Sequence, residues 1–96
     1  MHGEYKMPGG KLAVIDLEIR GDRLVDVRLS GDFFLEPDNA LHMIDAALEG
    51  QPAALSPPAI AGVVAAAVPA TTMMYGISPD AVAMAVHRAV HGEQDA

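Results

Sequence analysis

Lys11-Leu12-Ala13-Val14-Ile15-Asp16-Leu17-Glu18-Ile19-Arg20-Gly21-Asp22-Arg23-Leu24-Val25-Asp26-Val27-Arg28-Leu29-Ser30 is the stretch that decides the fold. From Lys11 to Arg20, Ala13, Ile15, Leu17 and Ile19 fall on one face, while Asp16, Glu18 and Arg20 fall on the other. That period of two is a strand with one face buried. From Leu24 to Ser30 the pattern repeats, with Val25, Val27 and Leu29 facing one way and Asp26 and Arg28 the other. Gly21-Asp22-Arg23 joins the two as a hairpin. Both apolar sets sit at odd positions, so paired residues must have an even sum. A two-residue loop at Gly21-Asp22 alone would pair odd with even and put one set in water. A three-residue loop, or a bulge, keeps both sets inside.

Upstream, Glu4 to Met7 alternates and predicts a short strand, with Tyr5 and Met7 sharing a face. Pro8-Gly9-Gly10 ends it as a turn. Downstream, Gly31-Asp32-Phe33-Phe34-Leu35 is the densest apolar cluster. In an extended segment adjacent side chains point to opposite faces. One ring is therefore expected inside and the other available to a partner, unless the first helix covers both.

Three helices follow. Glu36-Pro37-Asp38 places acids and a proline at a helix start. Leu41, Ile44 and Leu48 form its buried stripe, and Gly50 suits the position after its end. Ser56 caps the second helix, with Pro57 at its first position. Ile60, Val63, Val64 and Ala67 form its stripe, and Pro69 stops it. Thr71 to Tyr75 is β-prone and suggests a fourth strand. Ser78-Pro79-Asp80 opens a third helix that runs to about His91. Ala81 to Val86 is an unbroken apolar run, so this helix is either buried on two sides, the second of them at a subunit interface, or carries Ala and Met on a surface. Residues Gly92 to Ala96 read as frayed.

The order predicts one α+β domain over residues 1–96: a small antiparallel sheet of three to four strands, covered on one face by about three helices. With 96 residues and a mass of 10.0 kDa, the chain suits a single core. It should expose roughly 5,200 Å² when folded, with no room for a deep substrate cavity. Hydrophobic residues make up 51% but aromatics only 4%. The core is thus built from small side chains, which predicts modest stability or stability lent by a partner.

A formal charge of −7 disfavours nucleic acid and anionic membranes as partners. The absence of cysteine removes disulfides, thiolate metal sites and iron–sulfur ligation, and agrees with a cytoplasmic location. The N-terminus has no apolar signal region, and Ala59 to Ala67 is too short to span a bilayer.

Little of the chain offers chemistry. Lys6 and Lys11, the two lysines, bracket Met7-Pro8-Gly9-Gly10. Glycine-turn N–H groups with flanking lysines suit a phosphate, but they equally suit a solvated hairpin turn. His87 and His91 have a metal-compatible spacing, yet imidazoles near a helix C-terminus are also favoured by the dipole. His42 reads as an ordinary helix residue, and His2 lies next to the terminus. Glu36, Asp38 and Asp45 offer carboxylates that read more simply as helix acids. Ser30, Ser56 and Ser78 read as strand-end or cap residues, so no nucleophile–base pair stands out.

Three segments carry a resemblance. His2-Gly3-Glu4-Tyr5-Lys6-Met7-Pro8-Gly9-Gly10-Lys11-Leu12, then Ser30-Gly31-Asp32-Phe33-Phe34-Leu35-Glu36-Pro37, then Tyr75-Gly76-Ile77-Ser78-Pro79-Asp80 together resemble the C-terminal accessory domain of lipoate–protein ligases. The resemblance covers nearly the whole chain. It implies a fold similar to the iron–sulfur scaffold and sulfur-acceptor proteins, although without cysteine their chemistry is excluded. It further implies a non-catalytic accessory subunit of a ligase whose large catalytic subunit activates lipoate with ATP to lipoyl-adenylate. That subunit then transfers the lipoyl group to a lysine of an acceptor domain. Met1, just before the first segment, agrees with a free-standing subunit. No catalytic residue carries over. Lys6, Pro8, Gly9, Gly10 and Lys11 would form the edge facing the adenylate and the partner, with Asp32, Phe33 and Phe34 as a supporting segment. The chain alone would bind no cofactor and no metal; ATP with magnesium, and lipoate, would belong to the complex. The alternative is a stand-alone binding or scaffold domain without a ligase partner.

Overall fold

The computed structural model describes residues 1–92; residues 93–96, most of the segment expected to fray, lie outside the described residues. The elements run β1 (His2–Lys6), β2 (Leu12–Arg20), β3 (Arg23–Gly31), β4 (Phe34–Glu36), α1 (Ala40–Leu48), α2 (Pro57–Ala67), β5 (Met73–Tyr75) and α3 (Pro79–His91). The first three strands make an antiparallel sheet in the order β1-β2-β3, and β4 pairs with β5 as a separate antiparallel ribbon.

β2 and β3 meet at a two-residue turn in which Arg20 pairs with Arg23. Gly21 and Asp22 both take positive φ, 58° and 61°, the mirror-image turn that matches strand twist. Parity then requires a bulge, and one forms. Glu18 pairs with Val25, but Asp16 pairs with Arg28, so Asp26 and Val27 together span the place of Leu17. Asp26 carries the kink at φ 54°. The bulge corrects one expectation: between it and the turn the inward residue is Leu24, fully buried, while Val25 is only half-buried.

β1 starts two residues before its expected position and stops at Lys6, because Met7 already belongs to the turn. The Gly10 N–H donates to the Met7 carbonyl at 2.9 Å, with Pro8 next and Gly9 at φ 71°, a type II geometry. Gly3 pairs with Ile15 and lies beneath α3. Arg88 of α3 donates to the Glu4 carbonyl at 3.0 Å and sits 5.0 Å from the centre of the Tyr5 ring.

The opposite edge, β3, is covered by α1 and the chain after it. Glu49 accepts from the bulge N–H groups of Asp26 and Val27 at 3.0 and 3.1 Å. Asp45 accepts from the Leu29 N–H at 2.9 Å, and the Leu24 N–H donates to the Gln51 carbonyl at 2.9 Å. An edge strand with its donors occupied is protected from pairing with another chain.

α1 begins at Ala40, not at Pro37. Glu36 is held in β4 by pairing with Met73, and residues 37–39 form the turn that follows, with the Ala40 N–H donating to the Pro37 carbonyl. Its buried stripe is Ala40, Ile44 and Leu48, with Leu41 half-buried and Gly50 at φ 83° just past the end. α2 and α3 start as expected. Ser56 and Ser78 accept from the N–H groups of Ala59 and Ala81, each with a proline in the first helical position. In α2, Ile60 and Val64 are buried, while Val63 and Ala67 are half-buried. α3 is buried at Ala81, Val82, Ala83, Ala85, Val86 and Ala89. It packs on β1 and β2 with one side and on α2 with another, so its second apolar side is covered within the chain. The helices cover one face of the sheet; the other carries exposed Asp16, Glu18, Arg20 and Arg28. The folded chain exposes 5265 Å², close to the area its mass predicts.

Candidate functional site

Lys6 closes β1 and Lys11 precedes β2, so the type II turn sets both lysines at one exposed corner. Neither ammonium meets a carboxylate among the described residues. Two of the turn's N–H groups are already used. That of Gly10 serves Met7, and that of Lys11 donates to the Gly76 carbonyl at 2.8 Å. Pro8 has none, which leaves only Gly9 of the four residues from Pro8 to Lys11. Attraction for an anion at this corner therefore rests on the two lysine charges more than on backbone donors.

The Lys11–Gly76 bond joins this corner to the β4–β5 ribbon. Gly76 takes φ 79°, and a β-carbon there would stand 3.0 Å from Lys11 Cβ. Only glycine lets the end of β5 come so close. Next to it, Tyr75 pairs with Phe34, their rings 5.8 Å apart and tilted by 41°. The two segments that the sequence separates by twenty residues are thus neighbours, bridged by Gly76.

Of the adjacent phenylalanines, Phe33 packs against the core, and Phe34 points out, 52% exposed. Leu35 turns inward again and is buried. Asp32 is exposed. Sequence reasoning missed Met73 and Tyr75, which are 50% and 46% exposed and extend the Phe34 surface. Alternation within the β-prone run from 71 to 75 was the available signal, but its outward face is apolar, so polarity did not mark it. Two surface clefts border this face. One of about 460 Å³ is lined by Glu36, Pro37, Asp38, Thr71 and Met73. The other, about 150 Å³, is lined by Phe33, Phe34, Leu35, Asp38 and Leu41.

The remaining candidates do not gather at a single site. Asp45 serves β3, and burial raises its carboxyl above the usual range. The His87 and His91 rings lie 4.4 Å apart, tilted by 44°, at the end of α3. His42 is exposed on α1. Among the described residues no group of three or more His, Asp or Glu side chains is arranged to hold a metal. His2 bridges two carboxylates on the open face, Nε2 to Glu4 at 2.7 Å and Nδ1 to Asp16 at 2.8 Å. Those bonds push its ring up to about 9, Glu4 contributing most. No helix among the described residues is long and apolar enough to cross a membrane.

The architecture places the chain among small α+β domains with helices on one face of an antiparallel sheet. No family model and no curated protein matches the sequence. A chain from a solved archaeal lipoylation system of Thermoplasma acidophilum, comprising a bi-partite lipoate protein ligase and its E2 lipoyl domain, shares the fold. The two superpose with a TM-score of 0.74 over 90% of this chain and 92% of that one, at 21% identity.

Proposed function

We propose that this chain is the accessory subunit of a two-part lipoate–protein ligase, acting with a large catalytic chain in the ATP-dependent activation of lipoate. The observation that carries the reading is the near-complete match of its fold to a component of a bi-partite lipoate protein ligase system. The lysine-flanked turn, Gly76 and the Phe34 segment, all within the sequence resemblance, meet on one surface, which supports it. In this reading the lipoate carboxylate attacks the α-phosphorus of ATP and pyrophosphate leaves. Lys6 and Lys11 offset phosphate charge as this happens, and closure over the nucleotide keeps water from the mixed anhydride. Magnesium would be held by the nucleotide and the catalytic chain, since the corner offers ammonium groups and no carboxylate pair.

The test is an activation assay with the catalytic chain. Lys6→Ala with Lys11→Ala should lower lipoyl-adenylate formation by about tenfold, while transfer from preformed lipoyl-adenylate stays intact. Equal rates for parent and double variant remove the proposed role of the corner. Native mass measurement of the mixture should show a 1:1 complex; persistent separation favours a stand-alone binding domain. A lipoyl mass increase on this chain would instead make it an acceptor.

A further inference from the structure

The β4–β5 ribbon presents a directional surface. Its register pairs Phe34 with Tyr75, Leu35 with Met74, and Glu36 with Met73. Leu35 is buried and Met74 packs against the core, so the outward face consists of Phe34, Tyr75, Met73 and Glu36. At one end, Gly76 leads to Lys11 and the lysine corner. At the other, Glu36 is followed by Asp38, which borders both clefts. Asp32 lies near the lysine end, but two cations outnumber it there. Read along its length, the surface is basic, then apolar, then acidic.

Among the described residues, three of the four large exposed hydrophobic side chains are on this ribbon. Half-exposed aromatic and methionine side chains in a contiguous row mark an interaction surface. A second copy is a poor occupant, because two chains of net charge −7 repel at long range. A surface with an apolar centre and a basic rim complements both the local acids and the overall charge.

We infer that this ribbon is the docking surface for the ligase's catalytic chain, and that the partner presents an apolar projection rimmed by Lys or Arg. The inference rests on the accessory-subunit reading and adds the contact and its orientation. The apolar projection lies on Phe34, Tyr75 and Met73, and its neighbour, the cleft of about 150 Å³ beside Phe34, takes one side chain. The basic rim meets Glu36 and Asp38. The lysine corner is left uncovered, facing the anionic reactants.

The experiment measures affinity between this chain and the catalytic chain of the same organism at several salt concentrations. Phe34→Ser with Met73→Ser should weaken binding by at least about tenfold. Both side chains point outward, so the fold should survive; if the double variant melts early, Tyr75→Ser provides the same reading. Glu36→Gln with Asp38→Asn should weaken binding and flatten its salt dependence. Lys6→Ala with Lys11→Ala should leave binding within about twofold while adenylate formation falls. A parent complex that the ribbon variants do not weaken overturns this inference alone. So does binding lost with the lysine pair instead, or a parent homodimer abolished by Phe34→Ser. If the parent forms no complex at all, the accessory reading falls and the inference with it.

Discussion

Gly3 of β1 lies directly against Ala89 of α3, so closely that a β-carbon on Gly3 would stand 2.8 Å from the Ala89 Cα. The contact is backbone to backbone and cannot be relieved by turning a side chain. Gly3→Ala should therefore lift α3 off the sheet and cost about 1–3 kcal/mol, the usual range for overpacking. Thermal or urea unfolding of the variant measures it, and an unchanged midpoint would show that the helix can shift freely.

The bulge at Asp26 depends on Glu49. Its carboxylate accepts both bulge N–H groups, which the partner strand cannot reach. Glu49→Ala should cost about 1–2 kcal/mol by leaving two backbone donors without a protein acceptor. Glu49→Gln retains one acceptor and should lose less. Hydrogen exchange at Asp26 and Val27 should quicken in the alanine variant, before exchange in the sheet centre does.

His2 makes stability depend on pH in a defined direction. Its ring is raised from 6.5 to about 9 by Glu4 and then Asp16, so the folded state favours the protonated ring. The contribution is complete below about 6.5 and is lost as pH rises through about 9. The difference in Tm between the parent and His2→Ala should shrink over that window. A constant difference from about pH 6 to about pH 10 would contradict the bridge.

Asp45 behaves in the opposite sense as a charge, because burial raises its carboxyl and disfavours the ionised form. Its contribution is present below the ordinary carboxylate value and is lost as pH rises through the raised one. Asp45→Asn keeps an acceptor for the Leu29 N–H without the half-buried charge. It should raise Tm near neutral pH and lose that advantage in acid, as a melting series shows.

Local periodicity made the sheet and helices legible. The Ala13–Ile19 alternation, the Ser56 and Ser78 caps and the parity conflict at Gly21-Asp22 each pointed to what formed. Parity required a three-residue loop or a bulge, and tertiary contacts, Leu24 in the core and Glu49 on the bulge N–H groups, accompany the bulge that forms. The start of α1 was misplaced because pairing of Glu36 with Met73 outweighs the helix-start preference of Glu36-Pro37-Asp38. That pairing spans 37 positions, beyond the reach of local pattern. The candidate site was half legible: its lysine turn and Phe34 stand out in sequence, but Tyr75 and Met73 are brought beside them only by the ribbon.

The placement of β1 beneath α3 has a consequence for synthesis. β1 leaves the ribosome well before α3, so Gly3 and Tyr5 find their covering helix only after residue 79 has been made. Until then the nascent sheet shows an uncovered apolar flank. β1 therefore reaches its final packing only once α3 has formed, a contact between the two ends of the described fold that slows the last step of folding.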